Sequence, residues 1–276
     1  MDGSRWVVRW LPGAERSLTA HRAAGQQLDD LCAVHQVAVL LQADGMAVDP
    51  EALALDAGTL LPPEDGASSV PPGARPRRDY RRSLPRAPTR ATSGTALPGL
   101  IEATAARSGG RQALVPLRTS WTADTVETTV ELCRDHPAWR AVPLANVRTG
   151  KLWGSTPGIE AATAWLAGSD IPGPPPDWDV GHFVAIVGTI DGDRRSLLLV
   201  RDSYPAFGWD GHHLQPPEAV ASALERGDGR EGGVALYVDA GDREDVERAA
   251  KEAGFDIAAW DNGTPWPPSG EEGADR

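Results

Sequence analysis

Residues 181–202, GHFVAIVGTIDGDRRSLLLVRD, carry the clearest β-strand signal in the chain. An apolar, β-branched run is followed by an Asp-Gly-Asp turn and a second apolar run, which is the pattern of an antiparallel hairpin. His182 opens the first predicted strand and Asp202 ends the second, so both lie at the same end of the hairpin. Adjacent strands are ~4.8 Å apart, and we therefore expect the two side chains to lie within hydrogen-bonding reach.

Helical patterns precede this hairpin, and further strands and helices surround it. The predicted helices are 15–24, 32–43, one beginning at Asp49-Pro50, 100–107, 122–134, one capped by Ser155 or Thr156 and running through 166, 216–224 and 242–253. The predicted strands outside the hairpin are 6–11, 112–117, 140–147, 234–238 and 255–260. Helices first, followed by an antiparallel sheet with flanking helices, predict an α+β fold.

Two segments differ from this pattern. Residues 62–98 are rich in proline and arginine, which excludes a helix or a central strand, so we expect a flexible insertion. Residues 261–276 are rich in proline, glycine and acids and are predicted to be a disordered acidic tail. The remaining parts, 1–61 and 99–260, are predicted to form one domain. The insertion is interpreted as a lid or as a docking arm for an acidic partner.

Composition excludes several classes of function. The chain has 276 residues with 27 basic and 39 acidic side chains, a formal charge of −12. This balance argues against a protein that coats nucleic acid and against docking to an anionic membrane. We find no apolar run near the ~20 residues that span a bilayer and no signal peptide, and we expect a cytoplasmic protein with two free thiols.

Cys32 follows a short loop and opens a strongly apolar predicted helix. The first N–H groups of a helix and its dipole favour a thiolate, and the same N–H groups can bind an oxyanion. A glutamine just upstream can add a side-chain donor to the same place. Together with a distant His182 and with Asp202 to orient its ring, Cys32 has the residue types of an activated thiol nucleophile.

These residues resemble the bacteriocin-processing, papain-like cysteine peptidases that cut leader peptides after a double glycine, and their stand-alone relatives. The likeness rests on Gln26 six positions before Cys32, on the apolar helix ending at Gly45, on 181–188 and on 200–203. Gly208-Trp209 followed by a helix extends it. The resemblance implies a papain-like fold in which the helix that carries the cysteine packs on an antiparallel sheet that carries the histidine and the aspartate.

The same resemblance implies a role for each matching residue. Cys32 would be the nucleophile, His182 the general base and acid, Asp202 the residue that orients the imidazole, and Gln26 the oxyanion donor. The expected function is a cysteine hydrolase, a peptidase or amidase, acting on a peptide or protein substrate without a metal or cofactor. Gln27, Trp178 and Trp209 are candidates for substrate contacts. The sequence gives no prediction of the oligomeric state.

The sequence is also compatible with two other functions. Ala33 stands where the family has glycine, and Asp29 and Asp30 precede Cys32, which together suggest a degenerate, peptide-binding member. The second alternative is an acyltransferase that uses the same triad. His35, one helical turn from Cys32, is a rival base. His212-His213 near Asp210 fits no standard zinc spacing, and Cys133 is predicted to be structural.

Overall fold

The computed structural model describes residues 6–64, 69–156, 158–170 and 172–267, and its centre is a seven-stranded antiparallel sheet. The strands are β1 (Val7–Trp10), β2 (Gln112–Leu117), β3 (Val142–Arg148), β4 (Gly181–Asp191), β5 (Ser196–Arg201), β6 (His212–Gln215) and β7 (Gly233–Asp239). The helices are α1 (Ala14–Ala24), α2 (Cys32–Ala43), α3 (Pro50–Asp56), α4 (Leu97–Arg107), α5 (Ala123–Asp135), α6 (Ile159–Leu166), α7 (Pro217–Glu225) and α8 (Arg243–Glu252). The predicted α+β class is confirmed.

The sheet order is β2-β7-β3-β4-β5-β6, and β1 joins the long strand β4. The first half of β4 pairs with β3, and its second half pairs with β1. On its other edge β4 pairs with β5, with a register shift between Ile186 and Gly188. Gly188 is required here, because a Cβ atom would lie 2.5 Å from the backbone oxygen of Arg9 in β1.

Helix α2 is the buried helix of the molecule. Residues 33–41 are all buried, as the apolar sequence predicts, and α2 packs on α1, α3 and β4. A second group of helices, α5 and α7, pack on each other and on β3. The N-terminus of α2 thus lies beside β4, and this arrangement positions Cys32 relative to His182.

The predicted strands differ from the observed strands in two places. Residues 255–260 are not a strand, because only Asp256 forms an isolated bridge, to Arg118. Residues 212–215, which lie in none of the predicted helices or strands, form β6 at the edge of the sheet. A four-residue strand with two histidines lacks the apolar alternation that would have revealed it.

The segment 62–98 contains little regular structure, yet many contacts fasten it to the domain. We call residues 69–96 the strap. Its Arg81 and Arg82 donate backbone N–H bonds to the buried carboxylate of Glu51, at 2.6 and 2.7 Å. At its end, Gly94 and Leu60 exchange two backbone hydrogen bonds. Where it is described, the insertion is an irregular strap that lies along the domain.

The predicted tail also begins inside the structure. Thr264 donates its hydroxyl to the backbone oxygen of Ser93, and Asn262 donates its side-chain amide to the oxygen of Thr95. The rest of the predicted tail, 268–276, lies outside the described residues. Residues 262–264 therefore pack against the strap. None of the helices described here is long and apolar enough to pass through a bilayer.

Candidate active site

His182 and Asp202 meet at one end of the hairpin formed by β4 and β5. His182 Nε2 lies 3.0 Å from Asp202 Oδ2, and the two residues are 2% and 0% exposed. The other carboxylate oxygen of Asp202 accepts the backbone N–H of Tyr204 at 2.8 Å. Both oxygens of Asp202 are therefore held, and the ring orientation of His182 is fixed.

Cys32 is the first residue of α2 and is partly exposed. Its side chain lies beside the His182 ring, where its charge and hydrogen bonding help to raise the pKa of the imidazole. Because Nε2 of that ring faces Asp202, Nδ1 is the nitrogen left for the sulfur. The structure thus brings Cys32, His182 and Asp202 together, with the His182 ring between the other two side chains, as the sequence predicted.

The charges of these groups support one another. Burial lowers the pKa of His182, but the charge of Asp202 and the hydrogen bonds with Asp202 and Cys32 outweigh burial and raise this pKa to about 10. Burial would raise the pKa of Asp202, yet the charge and hydrogen bond of His182 bring it below its ordinary value. The pair therefore favours an imidazolium beside a carboxylate.

Cys32 and His182 line a cavity of about 460 Å³. Its wall comes from seven parts of the chain. They are the loop before α2 with the start of that helix, the strap, the end of β3, residues 178–183 around the start of β4, Tyr204, and the segments around 226–230 and 262–264. Four arginines and two aspartates are among the lining residues, namely Arg90, Arg148, Arg226, Arg230, Asp30 and Asp179. A partly exposed thiol that faces such a cavity is accessible to a ligand.

The two glutamines before Cys32 face opposite sides. Gln26 donates its side-chain amide to the oxygen of Arg75 in the strap and lines a second cavity. Gln27 lines the cavity that contains Cys32. The backbone N–H of Gln27 bonds to the oxygen of Ser203, which turns this residue inward. The structure therefore does not bring Gln26 to the thiol, and the glutamine it places there is Gln27.

Of the two predicted tryptophans, the structure brings one to the site. The Trp178 ring lies edge-on to His182, with centroids 4.9 Å apart, and lines the cavity. Trp209 is 48% exposed and is not among the cavity residues. Its position follows from a tight loop in which Trp209 N donates to the oxygen of His212. Trp209 is therefore not a candidate for substrate contact through this cavity.

The two aspartates before Cys32 have different surroundings. Asp29 is buried, accepts the backbone N–H of Arg77 at 2.9 Å and lies 3.7 Å from the Arg78 guanidinium. Asp30 has a left-handed backbone (φ 63°) and lines the cavity, where burial raises its pKa. The Arg78 guanidinium therefore offsets the charge of one of the two carboxylates that precede the thiol.

Two further candidates lie away from the cavity. Cys133 is 1% exposed, and burial raises its pKa to about 12, in agreement with the structural role predicted for it. His35 packs beside His21, with ring centroids 6.3 Å apart, and lines the second cavity. Burial lowers the pKa of His35 to about 4. His35 therefore lies on the inner side of α2, away from the cavity of the thiol.

The histidines at 212–213 have structural partners. Buried His213 accepts the Gln215 amide at Nδ1, and its Nε2 lies 4.0 Å from Asp202. In the parts of the chain that the structure describes, no group of three or more His, Cys, Asp or Glu side chains is placed to hold a metal ion.

Sequence reasoning missed several residues of the site. Tyr204 and Ser203 hydrogen-bond the side chain of Gln27 and so connect the loop before Cys32 with the turn after Asp202. Asn146 and Arg226 line the cavity from β3 and from the end of α7. The sequence signal near Arg226 is the glycine at position 227, which is typical of the end of a helix. This signal predicts a turn and does not indicate that Arg226 lines a cavity.

The chain matches a model of a protein family. A family model described as "Family of unknown function (DUF6885)" matches residues 11–261. The chain therefore belongs to that family. No curated protein and no solved structure matches the chain.

Proposed function

We propose that this member of DUF6885 is a cysteine hydrolase, a peptidase or amidase, in which Cys32, His182 and Asp202 form the catalytic triad. The observation that carries the proposal is a partly exposed thiol beside a buried imidazole that is hydrogen-bonded to a fully buried carboxylate. A structural cysteine needs neither this arrangement nor an open cavity in front of it.

The first chemical step follows from these positions. The imidazolium of His182 stabilises the thiolate of Cys32, which attacks the carbonyl carbon of the scissile amide. The negative charge passes to the carbonyl oxygen. The backbone N–H of Cys32, at the start of α2, and the second amide proton of Gln27 receive this oxyanion. Each such donor contributes about 3 kcal/mol to transition-state stabilisation.

The remaining steps use the proton of His182. Its Nδ1 proton passes to the leaving amine as the C–N bond breaks, which leaves a thioester on Cys32 and a neutral imidazole. The imidazole then takes a proton from water, the resulting hydroxide attacks the thioester, and the acid product leaves. The proton stays on His182, and thiolate and imidazolium are restored. Asp202 keeps the ring in one orientation throughout.

The papain-like interpretation of the fold belongs to the same proposal. It is supported by the order of the elements, with the cysteine as the first residue of a buried helix, the histidine on β4, and the aspartate directly after the neighbouring antiparallel strand β5. The departure from the expected pattern is the glutamine. In this chain the proposed oxyanion donor is Gln27, one position nearer to the cysteine than in the family that the sequence resembles.

A peptide digest tests the proposal. The protein is incubated with a peptide library in H₂¹⁸O, and new C-termini are identified by mass spectrometry. We expect ¹⁸O-labelled termini from the wild type and from the matched control Cys133→Ser, and none from Cys32→Ser.

Each other outcome contradicts a defined part of the proposal. Cleavage by Cys32→Ser equal to that by the wild type would exclude Cys32 as the nucleophile. Cleaved termini that carry an added amine and no ¹⁸O would exclude hydrolysis in favour of acyl transfer. Peptide retention by the wild type without any new terminus would exclude the peptidase and favour a binding protein.

A further inference from the structure

One end of the cavity consists of hydrogen-bond donors that the triad does not use. Asn146 in β3 is 2% exposed, and its side-chain oxygen accepts from Arg226 Nη1 at 3.3 Å. That bond fixes which atom of the amide is nitrogen. The Nδ2 group is buried and has no acceptor anywhere in the described part of the chain. Asn146 thus presents an unsatisfied donor at the wall of the cavity.

Arg226 is buried in an unfavourable backbone conformation. It is 3% exposed and has a left-handed backbone (φ 60°), which is unfavourable for a residue with a side chain. Asp228 accepts from its Nε and Nη2 at 3.1 and 2.9 Å, so that one edge of the guanidinium is fixed. An arginine that is buried, strained and anchored on one edge is oriented so as to present its other edge.

The free edge points toward Gly181, the first residue of β4. A Cβ atom on Gly181 would lie 3.0 and 3.2 Å from Nη2 and Nη1 of Arg226 and 3.5 Å from Cζ. These three distances place that position in front of the edge formed by the two terminal nitrogens. Glycine at position 181 therefore leaves this edge uncovered, one residue before His182.

A second cation lines the same cavity. Arg230 is half-buried and donates to the backbone oxygen of Ala91. Its charge helps to lower the pKa of Asp228, but among the described residues it forms no ion pair within 4 Å. Arg148, by contrast, is paired with Asp179 at 3.0 Å. The cavity residues Asn146, Arg226 and Arg230 thus offer N–H donors and the positive charge of an arginine that forms no ion pair within 4 Å in the described part of the chain.

We propose that the substrate of this site carries a carboxylate, and that Arg226, Arg230 and the Nδ2 group of Asn146 receive it. This rests on the proposed function, because it places the carboxylate on the same molecule whose carbonyl Cys32 attacks. The carboxylate is either a chain terminus or an acidic side chain. Arg226, Arg230 and Asn146 are therefore residues that determine specificity.

Alkylation of Cys32 with three reagents tests this inference. They are bromoacetyl-glycine, its neutral amide, and bromoacetyl-aspartate α-amide, whose charge lies on the side chain alone. The sulfur displaces bromide from each and forms a thioether. Rates are divided by those of N-acetylcysteine amide, and iodoacetamide measures the reactivity of the thiol itself.

We expect a carboxylate reagent to modify wild-type Cys32 about tenfold faster than the neutral amide, as a charge-assisted bond to arginine predicts. The faster of the two carboxylate reagents identifies the source of the carboxylate. Arg226→Gln and Arg230→Gln should each reduce the preference severalfold after every rate is divided by the iodoacetamide rate of the same variant. Arg118→Gln, which breaks a surface ion pair with Glu231, is the matched control.

Two results overturn the inference alone. One is a wild type in which neither carboxylate reagent exceeds the neutral amide, and the other is a preference that survives both substitutions. Arg230→Gln keeps the test valid if Arg226→Gln does not fold, because Arg230 is only half-buried. Failure of the proposed function is distinct, since Cys32 would then react with iodoacetamide no faster than the model thiol.

Discussion

Single residues determine the chemistry of the candidate site, and the most informative of them is Asp202. It is fully buried, and its two oxygens hold the His182 ring and the backbone of Tyr204. A buried carboxylate in this position must be compensated, and the imidazolium supplies the charge. The charge and hydrogen bond of Asp202 are therefore the main causes of the raised pKa of His182.

Asp202→Asn tests this dependence. The amide keeps the shape of the side chain but removes the charge, so we expect the pKa of His182 to fall from about 10 to below its ordinary value, because burial then dominates. Hydrolysis should fall by about 10² to 10⁴. The ring titration is measured by ¹⁵N NMR of the histidine side chains. An unchanged titration of His182 in Asp202→Asn would show that the carboxylate does not control the imidazole.

At the scale of elements, the sequence predicted most of the helices and strands that have a regular hydrophobic pattern. The bounds of α2 and of β2 are those expected, because an apolar run and clear end signals define them. The hairpin brought His182 and Asp202 together as predicted. Contacts between distant segments were not predictable. Which of Gln26 and Gln27 faces the thiol depends on the hydrogen bond from Gln27 N–H to the backbone oxygen of Ser203. The path of the strap depends on its hydrogen bonds to Glu51.

The strap supplies a prediction at this scale. Glu51 is 1% exposed and accepts the backbone N–H groups of Arg81 and Arg82. Glu51→Ala leaves both N–H groups without their acceptor, and we expect the free energy of unfolding to fall by about 3 kcal/mol. Urea denaturation measures this change, and limited proteolysis should cut near residues 77–82 first.

The matched control for this prediction is Glu102→Ala, on the exposed face of α4, which should change stability by less than about 0.5 kcal/mol. Equal stability of Glu51→Ala and the wild type would mean that the strap is not fastened by this carboxylate.

At the scale of the whole molecule, buried histidines determine how stability depends on pH. His35 and His213 are buried, and burial lowers the pKa of each to about 4. The unfolded chain binds their protons near pH 6.5, so stability falls as the pH drops from about 6.5 toward 4. His182 acts in the opposite direction. Its contribution is complete below about pH 6.5 and is lost as the pH rises through about 10.

We therefore expect the free energy of unfolding to be greatest near pH 6.5. The acid side should be the steeper one, because at least two histidines titrate there and one titrates on the alkaline side, at about 1.4 kcal/mol per pH unit and group. Urea denaturation between pH 4.5 and 9.5 measures the curve, and His35→Gln should reduce the acid slope. Constant stability from pH 4.5 to 6.5 would contradict the burial of neutral histidines.

The reactivity of Cys32 tests the central claim most directly. The wild type, His182→Ala and the control His136→Ala, which changes an exposed histidine outside the cavity, are treated with iodoacetamide at pH 6. Buried Cys133 serves as the internal reference in the mass spectra. A thiolate stabilised by an imidazolium predicts alkylation of Cys32 at least tenfold faster in the wild type and in His136→Ala than in His182→Ala. Equal rates in all three proteins would contradict the triad.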